Sequence, residues 1–150
     1  MPDLPAGSII KALDTPPTAS DAQSATVTTT STSYTTSGTD CAVAWVAPTT
    51  GRVMIHTAAR MLNSSATSGS LIAPETRTGG VIGAGIVVET PIDAIGASNY
   101  GTTFARSSAD HVLSGLTPGA TYNTRLLMRT SVGTDTASFA LRELIVQPLT

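Results

Sequence analysis

Short runs of β-branched and apolar residues, most of them ended by Gly or Pro, recur along most of the chain. Strands favour Val, Ile and Thr, whereas Gly and Pro interrupt them. Residues 52–59 alternate between two faces, with Val53 and Ile55 on one face and Met54 and His56 on the other. No stretch has sustained helical periodicity. The pattern predicts an all-β chain of about eight or nine strands, an antiparallel β-sandwich of the jelly-roll type.

The other predicted strands follow the same spacing. They are expected at residues 24–34, 41–47, 69–74, 81–90, 102–106, 111–113, 120–130 and 138–146, with one helical turn at 91–97. Pro118 and Gly119 suit the two central positions of a type II turn, because Pro pre-sets φ and Gly accepts a positive φ. This turn is predicted to lead into the long strand that begins at Ala120.

The first 22 residues differ from the rest, because four prolines surround one short apolar patch. Proline removes backbone donors and favours an extended chain. We therefore predict an extended N-terminal arm over residues 1–22 and a sandwich domain over residues 23–150. The patch supplies the candidate docking residues Ile9, Ile10 and Leu13. It either docks on a neighbouring chain or folds back on its own domain.

The composition excludes several classes of partner. Charged residues make up 12% of the chain and the net charge is −2, so no basic patch is available for nucleic acid. Cys41 is the only cysteine, which excludes a disulfide framework and a thiol metal site. No segment approaches the roughly 18 apolar residues of a membrane span. The chain is expected to bind neither nucleic acid nor a membrane.

Residues suited to catalysis are scarce. His56 and His111 are the only histidines, and no Gly-x-Ser-x-Gly element is present. Asp110 and His111 are adjacent, so on a strand they point to opposite faces. The glycines between Gly80 and Gly85 lack the order of a phosphate-binding loop and favour a bend in a strand. We expect no enzymatic activity, no cofactor and no metal site.

Two long strands carry apolar residues on both faces, whereas a sheet that faces water is polar on one face. In residues 122–128, Tyr122, Leu126 and Met128 are predicted on one face of the strand, and Leu127 on the other face. In the last strand, Phe139 and Ile145 are predicted on one face, and Leu144 and Val146 on the other. A covering layer is therefore expected, either another protomer or the chain's own loops. For a protomer, the candidate interface residues are Met54, His56, Leu127, Leu144 and Val146.

Two stretches resemble known β-domains. Residues 43–55, with the sequence Val-Ala-Trp-Val-Ala-Pro-Thr-Thr-Gly-Arg-Val-Met-Ile, resemble the aromatic-x-Ala-Pro-x-x-Gly segment of the trimeric jelly rolls of the tumour-necrosis-factor and complement-head type. This resemblance implies a homotrimer. Residues 113–122 also resemble the tyrosine corner of fibronectin type III modules, which implies a hydrogen bond between the Tyr122 hydroxyl and the preceding loop. The stretch from Trp45 to Tyr122 exceeds the length of such a module.

Residues 1–7, 47–53 and 115–123 resemble segments of small structural proteins from tailed phages that infect actinobacteria. The resemblance implies a virion protein in a minor-tail or capsid-decoration role, made in the host cytoplasm without a signal peptide. Its partners would be copies of itself and, through the arm, other virion proteins. The alternative is a receptor- or carbohydrate-binding tail-tip domain, which would bind host surface glycans through exposed aromatic residues such as Tyr100.

Overall fold

The computed structural model describes residues 16–150, so the docking residues Ile9, Ile10 and Leu13 lie outside it. Ten strands and one 3-10 turn make up the described chain. The strands are β1 (Ala19–Gln23), β2 (Val27–Thr29), β3 (Ala42–Val46), β4 (Val53–Asn63), β5 (Gly69–Thr78), β6 (Val87–Glu89), β7 (Ala97–Tyr100), β8 (Ala105–Leu113), β9 (Thr121–Thr130) and β10 (Ala137–Pro148), with the turn at Asp93–Ile95 between β6 and β7.

The strands form two five-stranded antiparallel sheets. Sheet I has the order β1-β10-β4-β8, with β2 also paired to β10. Sheet II has the order β3-β9-β5-β6, with β7 also paired to β5. The chain crosses from sheet II to sheet I and back along β3, β4 and β5, and it crosses from sheet I to sheet II and back along β8, β9 and β10. This alternation between the sheets is the winding of a jelly roll. The predicted fold class is confirmed.

The core lies between the sheets and is built from the inward faces of the long strands. Ile55, Leu126 and Phe139 are fully buried there, and each such side chain contributes roughly 1.5–3 kcal/mol through burial. The rings of Trp45 and Tyr122 stack with centroids 5.2 Å apart. Most of these positions follow from the alternation in the sequence, although fully buried Thr57 and Thr124 lie among the apolar residues of the inward faces.

Several predicted local features are present. The N–H of Ala120 donates to the carbonyl of Thr117 at 3.1 Å, and Gly119 has a φ of +75°, as the predicted turn requires. The predicted helical turn appears at Asp93–Ile95. The Tyr122 hydroxyl accepts a hydrogen bond from the Thr117 N–H at 3.0 Å. The bond expected of a fibronectin corner thus occurs within a jelly-roll sheet order.

Other boundaries differ from the prediction. The strands expected at 102–106 and 111–113 form one continuous strand, β8. The strand expected at 81–90 is reduced to β6, because the glycine-rich turn before it takes positive φ angles. The boundary expected after residue 22 falls inside β1, which pairs with β10 from Ala19 to Gln23.

Candidate functional site

The outer face of sheet I is the face that points away from sheet II. Met54 and His56 lie on this face in the middle of β4, half-buried, because the neighbouring Val53, Ile55 and Thr57 point into the core. Ile145 of β10 lies beside His56, and these side chains line a depression of about 240 Å³. Two of the five candidate interface residues are therefore on one exposed surface.

Two contacts on this face join acidic and basic side chains within the chain, whereas the exposed Arg60 of β4 lies over the Phe104 ring and has no carboxylate partner in the described chain. His56 Nδ1 lies 2.5 Å from Asp110 Oδ1 on the neighbouring strand β8. Arg106 Nη2 lies 2.5 Å from Glu143 Oε2, so this pair spans from β8 to β10. The middle of the face, around Met54 and Ile145, thus combines apolar side chains with polar groups that already have hydrogen-bond partners.

The last strand corrects the predicted faces of Leu144 and Val146. The pairing of β10 with β4 shifts register between Ala140 and Glu143, so a β-bulge interrupts the alternation. Beyond the bulge Leu144 and Val146 point into the core with Phe139, and both are fully buried. These two residues are not available to a neighbouring protomer. Sequence alternation alone missed the bulge, since no Gly marks it.

The bulge places an apolar side chain on the surface. Leu141 has a φ of +47°, unusual for a residue other than Gly, and its side chain is 43% exposed. A pocket of about 320 Å³ is lined by Leu141, Ala22 and Arg106, among others. The following residue, Arg142, is buried and donates to the Thr39 carbonyl at 2.9 Å. Neither feature was expected from the sequence.

Leu127 lies on the other sheet, beneath the chain's own connection from β5 to β7. We call residues 79–96 the strap. Leu127 shares the outer face of sheet II with Arg125 and Arg129, and it is buried. The strap contacts the residues on both sides of it, since Arg129 Nη2 lies 2.5 Å from Asp93 and the Arg125 guanidinium packs against Gly83. Of the two covering layers expected here, the structure shows the chain's own loop.

A buried amide fastens the strap to sheet II. The Asn123 side-chain amide donates to the carbonyls of Gly79 at 2.9 Å and Ala84 at 3.2 Å, and its oxygen accepts the N–H of Gly83 at 3.0 Å. A side chain on Gly85 is impossible, because its Cβ would lie 1.9 Å from the Thr78 carbonyl oxygen. The glycine run therefore serves a tight turn over the sheet.

A carboxylate beneath the strap collects two guanidinium groups. Glu75 is nearly buried and accepts hydrogen bonds from Arg77 Nε and Arg125 Nε, each at 2.9 Å. Burial alone would raise the pKa of Glu75, but the two arginines outweigh it and hold the pKa below its usual value. Arg77 lies two residues further along β5, and Arg125 lies directly opposite Glu75 on β9.

The second histidine connects the two sheets. His111 Nε2 lies 2.9 Å from Glu89 Oε1, which joins β8 of sheet I to β6 of sheet II. Asp110 and His111 thus point to opposite faces, as predicted. Within residues 16–150, no group of three or more His, Cys, Asp or Glu side chains is placed to hold a metal ion. No helix of that part of the chain is long and apolar enough to cross a membrane.

The strap also carries the largest group of exposed apolar side chains in the described chain. Ile86 is 76% exposed and Val88 is 41% exposed, although both are β-branched residues at the margin of sheet II. The other members of the group are Val81, Ile82, Val87 and Ile92. Sequence reasoning assigned most of these residues to a strand and did not single them out.

Comparison with known proteins places the fold. The sheet order and winding define a jelly roll of the tumour-necrosis-factor type. Among solved structures, the chain is similar to the Eiger tumour necrosis factor of S. frugiperda, with a TM-score of 0.51 and 9% sequence identity over 89% of this chain and 94% of the other. No family model matches the sequence. No curated protein matches it either. At this identity the similarity establishes the fold and nothing more.

Proposed function

We propose that this chain is a non-enzymatic structural protein of a tailed-phage particle, which assembles as a homotrimer through the outer face of sheet I. The observation that carries the proposal is the character of that face. Half-buried Met54 and Ile145 flank the hydrogen-bonded side chains of His56 and Asp110. A contact between copies can bury this part of the face while His56 and Asp110 keep each other as hydrogen-bond partners, and a buried polar group without a partner is the main cost of such an interface.

The geometry suits a cyclic assembly. Val112 on β8, the strand at the margin of sheet I, is 49% exposed and lies opposite Met54 of β4. In a ring, the margin of one protomer packs against the face of the next, so each copy contributes two different surfaces. Val112 near the margin and Met54 in the middle of the sheet supply the apolar side chains of these two surfaces.

Light scattering after size-exclusion chromatography tests the assembly. We expect the mass of three chains at micromolar concentration. A charge at the centre of the face, Met54→Arg, should give monomers, because an unpaired guanidinium would be buried. The matched control Val132→Arg changes an exposed residue of the β9–β10 loop and should leave the trimer intact. A monomeric wild-type chain would contradict the proposal.

The place in a virion is supported by the three phage-like segments at residues 1–7, 47–53 and 115–123. Mass spectrometry of purified particles from the parent phage tests it, and images of the particle would separate a tail from a capsid location. Absence of the chain from washed particles would refute a virion role and leave the trimer untouched.

One observation favours a receptor-binding role as the second candidate. Tyr100 is 61% exposed and its ring lies over Gly69, at the start of β5 and next to the β9–β10 loop. An exposed aromatic ring supported by backbone is a surface on which a sugar face can stack. A glycan array separates the candidates, since binding that is lost in Tyr100→Ala supports a receptor function.

A further inference from the structure

The margin of sheet II presents an unprotected strand. β6 pairs with β5 on one side, and no strand of residues 16–150 pairs with its other side. Such edges usually carry a charge or a proline that prevents pairing with another chain. The one charge of β6 is Glu89, whose side chain is turned to His111 of sheet I, and residues 81–88 contain neither a charge nor a proline. Ile86, Val87 and Val88 are consecutive β-branched residues that are all exposed.

The inner side of this strand is already occupied. Glu89 points towards sheet I and contacts His111 at 2.9 Å. What stays open is the backbone edge together with the apolar side chains before Glu89. An extended apolar segment that pairs with this edge would supply both main-chain hydrogen bonds and side-chain contacts, as in other complexes formed by strand addition.

We propose that residues 9–13 of a neighbouring copy, Ile-Ile-Lys-Ala-Leu, add to the free edge of β6 as an extra strand. This inference deepens the proposed assembly and rests on it. The segment has the length of a short strand and contributes Ile9, Ile10 and Leu13 as apolar side chains. It is also the apolar part of the sequence that precedes the described chain.

The short connection before β1 favours the β6 edge of a neighbouring copy over that of the same chain. Pro16 leads into β1, which contacts β3 at one margin of the sandwich, because the Ala42 N–H donates to Asp21 at 3.0 Å. β6 lies at the opposite margin, beside β8. Three strand spacings of about 4.8 Å and a gap of about 10 Å between the sheets separate the two margins. The six residues from Leu13 to Ala19 span at most about 21 Å when fully extended, against about 17 Å between the margins. Pairing with β6 of the same chain would therefore require an almost straight connection across the sandwich, whereas the segment of a neighbouring copy has no such constraint.

Crosslinking between two populations of full-length chain tests the contact. One population carries Ile10→Cys and the other carries Val88→Cys, and the two are mixed with a short bis-maleimide. The native Cys41 is buried and does not compete. The matched control is Val132→Cys, which is 43% exposed, close to the 41% of Val88. We expect about tenfold more crosslinked pairs with Val88→Cys, because a docked arm raises the local concentration.

A second measurement avoids new cysteines. Hydrogen exchange at Val87–Glu89 should be slow in the wild type and faster in a variant that carries Ile9→Ser, Ile10→Ser and Leu13→Ser, three changes outside the described residues. Equal exchange in the two proteins overturns the proposal. Equal crosslinking of Ile10→Cys to Val88→Cys and to Val132→Cys also overturns the proposal. A third contradicting result is a crosslink that forms only within one chain when the double variant Ile10→Cys/Val88→Cys is diluted.

Light scattering on the same samples separates this inference from the trimer. A trimer without the Val88 crosslink refutes the arm contact and leaves the assembly through sheet I standing. Crosslinked pairs from a protein that is otherwise monomeric support the arm contact and refute the trimer.

Discussion

The side-chain oxygen of Asn123 accepts a hydrogen bond from the backbone N–H of Gly83 at 3.0 Å, and this contact holds the strap against sheet II. The same amide donates to two strap carbonyls. One buried side chain therefore replaces the hydrogen bonds that a glycine-rich turn cannot make with itself. The strap in turn covers Leu127, and the hydrogen bonds of Asn123 add to the Arg129–Asp93 contact that also holds the strap in place.

Replacement of this residue should loosen the strap. Asn123→Ala removes the hydrogen bonds that this buried amide makes with the strap, so we expect the free energy of unfolding to fall by about 1–3 kcal/mol. Hydrogen exchange at residues 79–86 should become faster than in the wild type. Thr121→Ala, an exposed change on the same strand, serves as the control. Unchanged exchange in the strap would show that Asn123 does not fasten it.

Glu75 gives the fold a dependence on pH. Its pKa is lower in the folded chain than the value of about 4.3 in an unfolded one. The ionised carboxylate therefore stabilises the folded state above that value, and the contribution is lost as the pH falls through the folded-state pKa. We expect Glu75→Gln to lower the free energy of unfolding at pH 7 by about 1–3 kcal/mol and to flatten its decline below pH 5.

Urea unfolding at a series of pH values, at one protein concentration, measures this effect. Glu143→Gln is the control, because Glu143 pairs with Arg106 at the surface, where an ion pair contributes only about 0–1 kcal/mol. If Glu75→Gln and Glu143→Gln have the same pH profile, the buried carboxylate does not govern acid stability.

The sequence predicted the strands whose alternation is unbroken. Val53 and Ile55 of β4 and Tyr122 and Leu126 of β9 point inward as expected, because a one-residue error would expose the whole apolar set. The same reasoning failed for Leu144, because the bulge inverts the faces and no local residue type encodes it. A strained conformation at a leucine is fixed by the surrounding sheet rather than by its own preference.

Contacts distant along the chain were also beyond prediction. Asn123 meets Gly83 across 40 positions, and Arg125 meets Glu75 across 50. Residue type indicated only that such polar groups need partners if they are buried. Only part of the outer face of sheet I was predicted. Met54 and His56 follow from the alternation of β4 alone, whereas the exposure of Leu141 depends on how β10 pairs with its neighbours.

Cys41 should be unreactive until the chain unfolds. Burial, and next the nearby charge of Asp21, raise the pKa of the Cys41 thiol to about 12. Very little thiolate is therefore present at pH 8, and the thiolate is the reactive form. A thiol-specific reagent should label Cys41 in urea and label the native protein slowly. The exposed variant Val132→Cys reports the rate for an accessible thiol, and labelling of native Cys41 at a comparable rate would show that this side of the sandwich opens readily.

Leu141 should be replaceable with a gain in stability of the isolated fold. Its φ of +47° lies in the left-handed region, where Asn is tolerated better than Leu. We expect Leu141→Asn to raise the free energy of unfolding by about 0.5–1 kcal/mol, since part of the backbone strain is relieved. The measurement is urea unfolding at a concentration below that at which chains associate, with Val132→Asn as an equally exposed control.

Under the proposed assembly, Leu141→Asn should also weaken the trimer, because it removes an apolar side chain from the rim of the outer face of sheet I. A stabilised fold with unaltered association would place Leu141 outside the interface, and a destabilised fold would mean that the bulge requires the leucine.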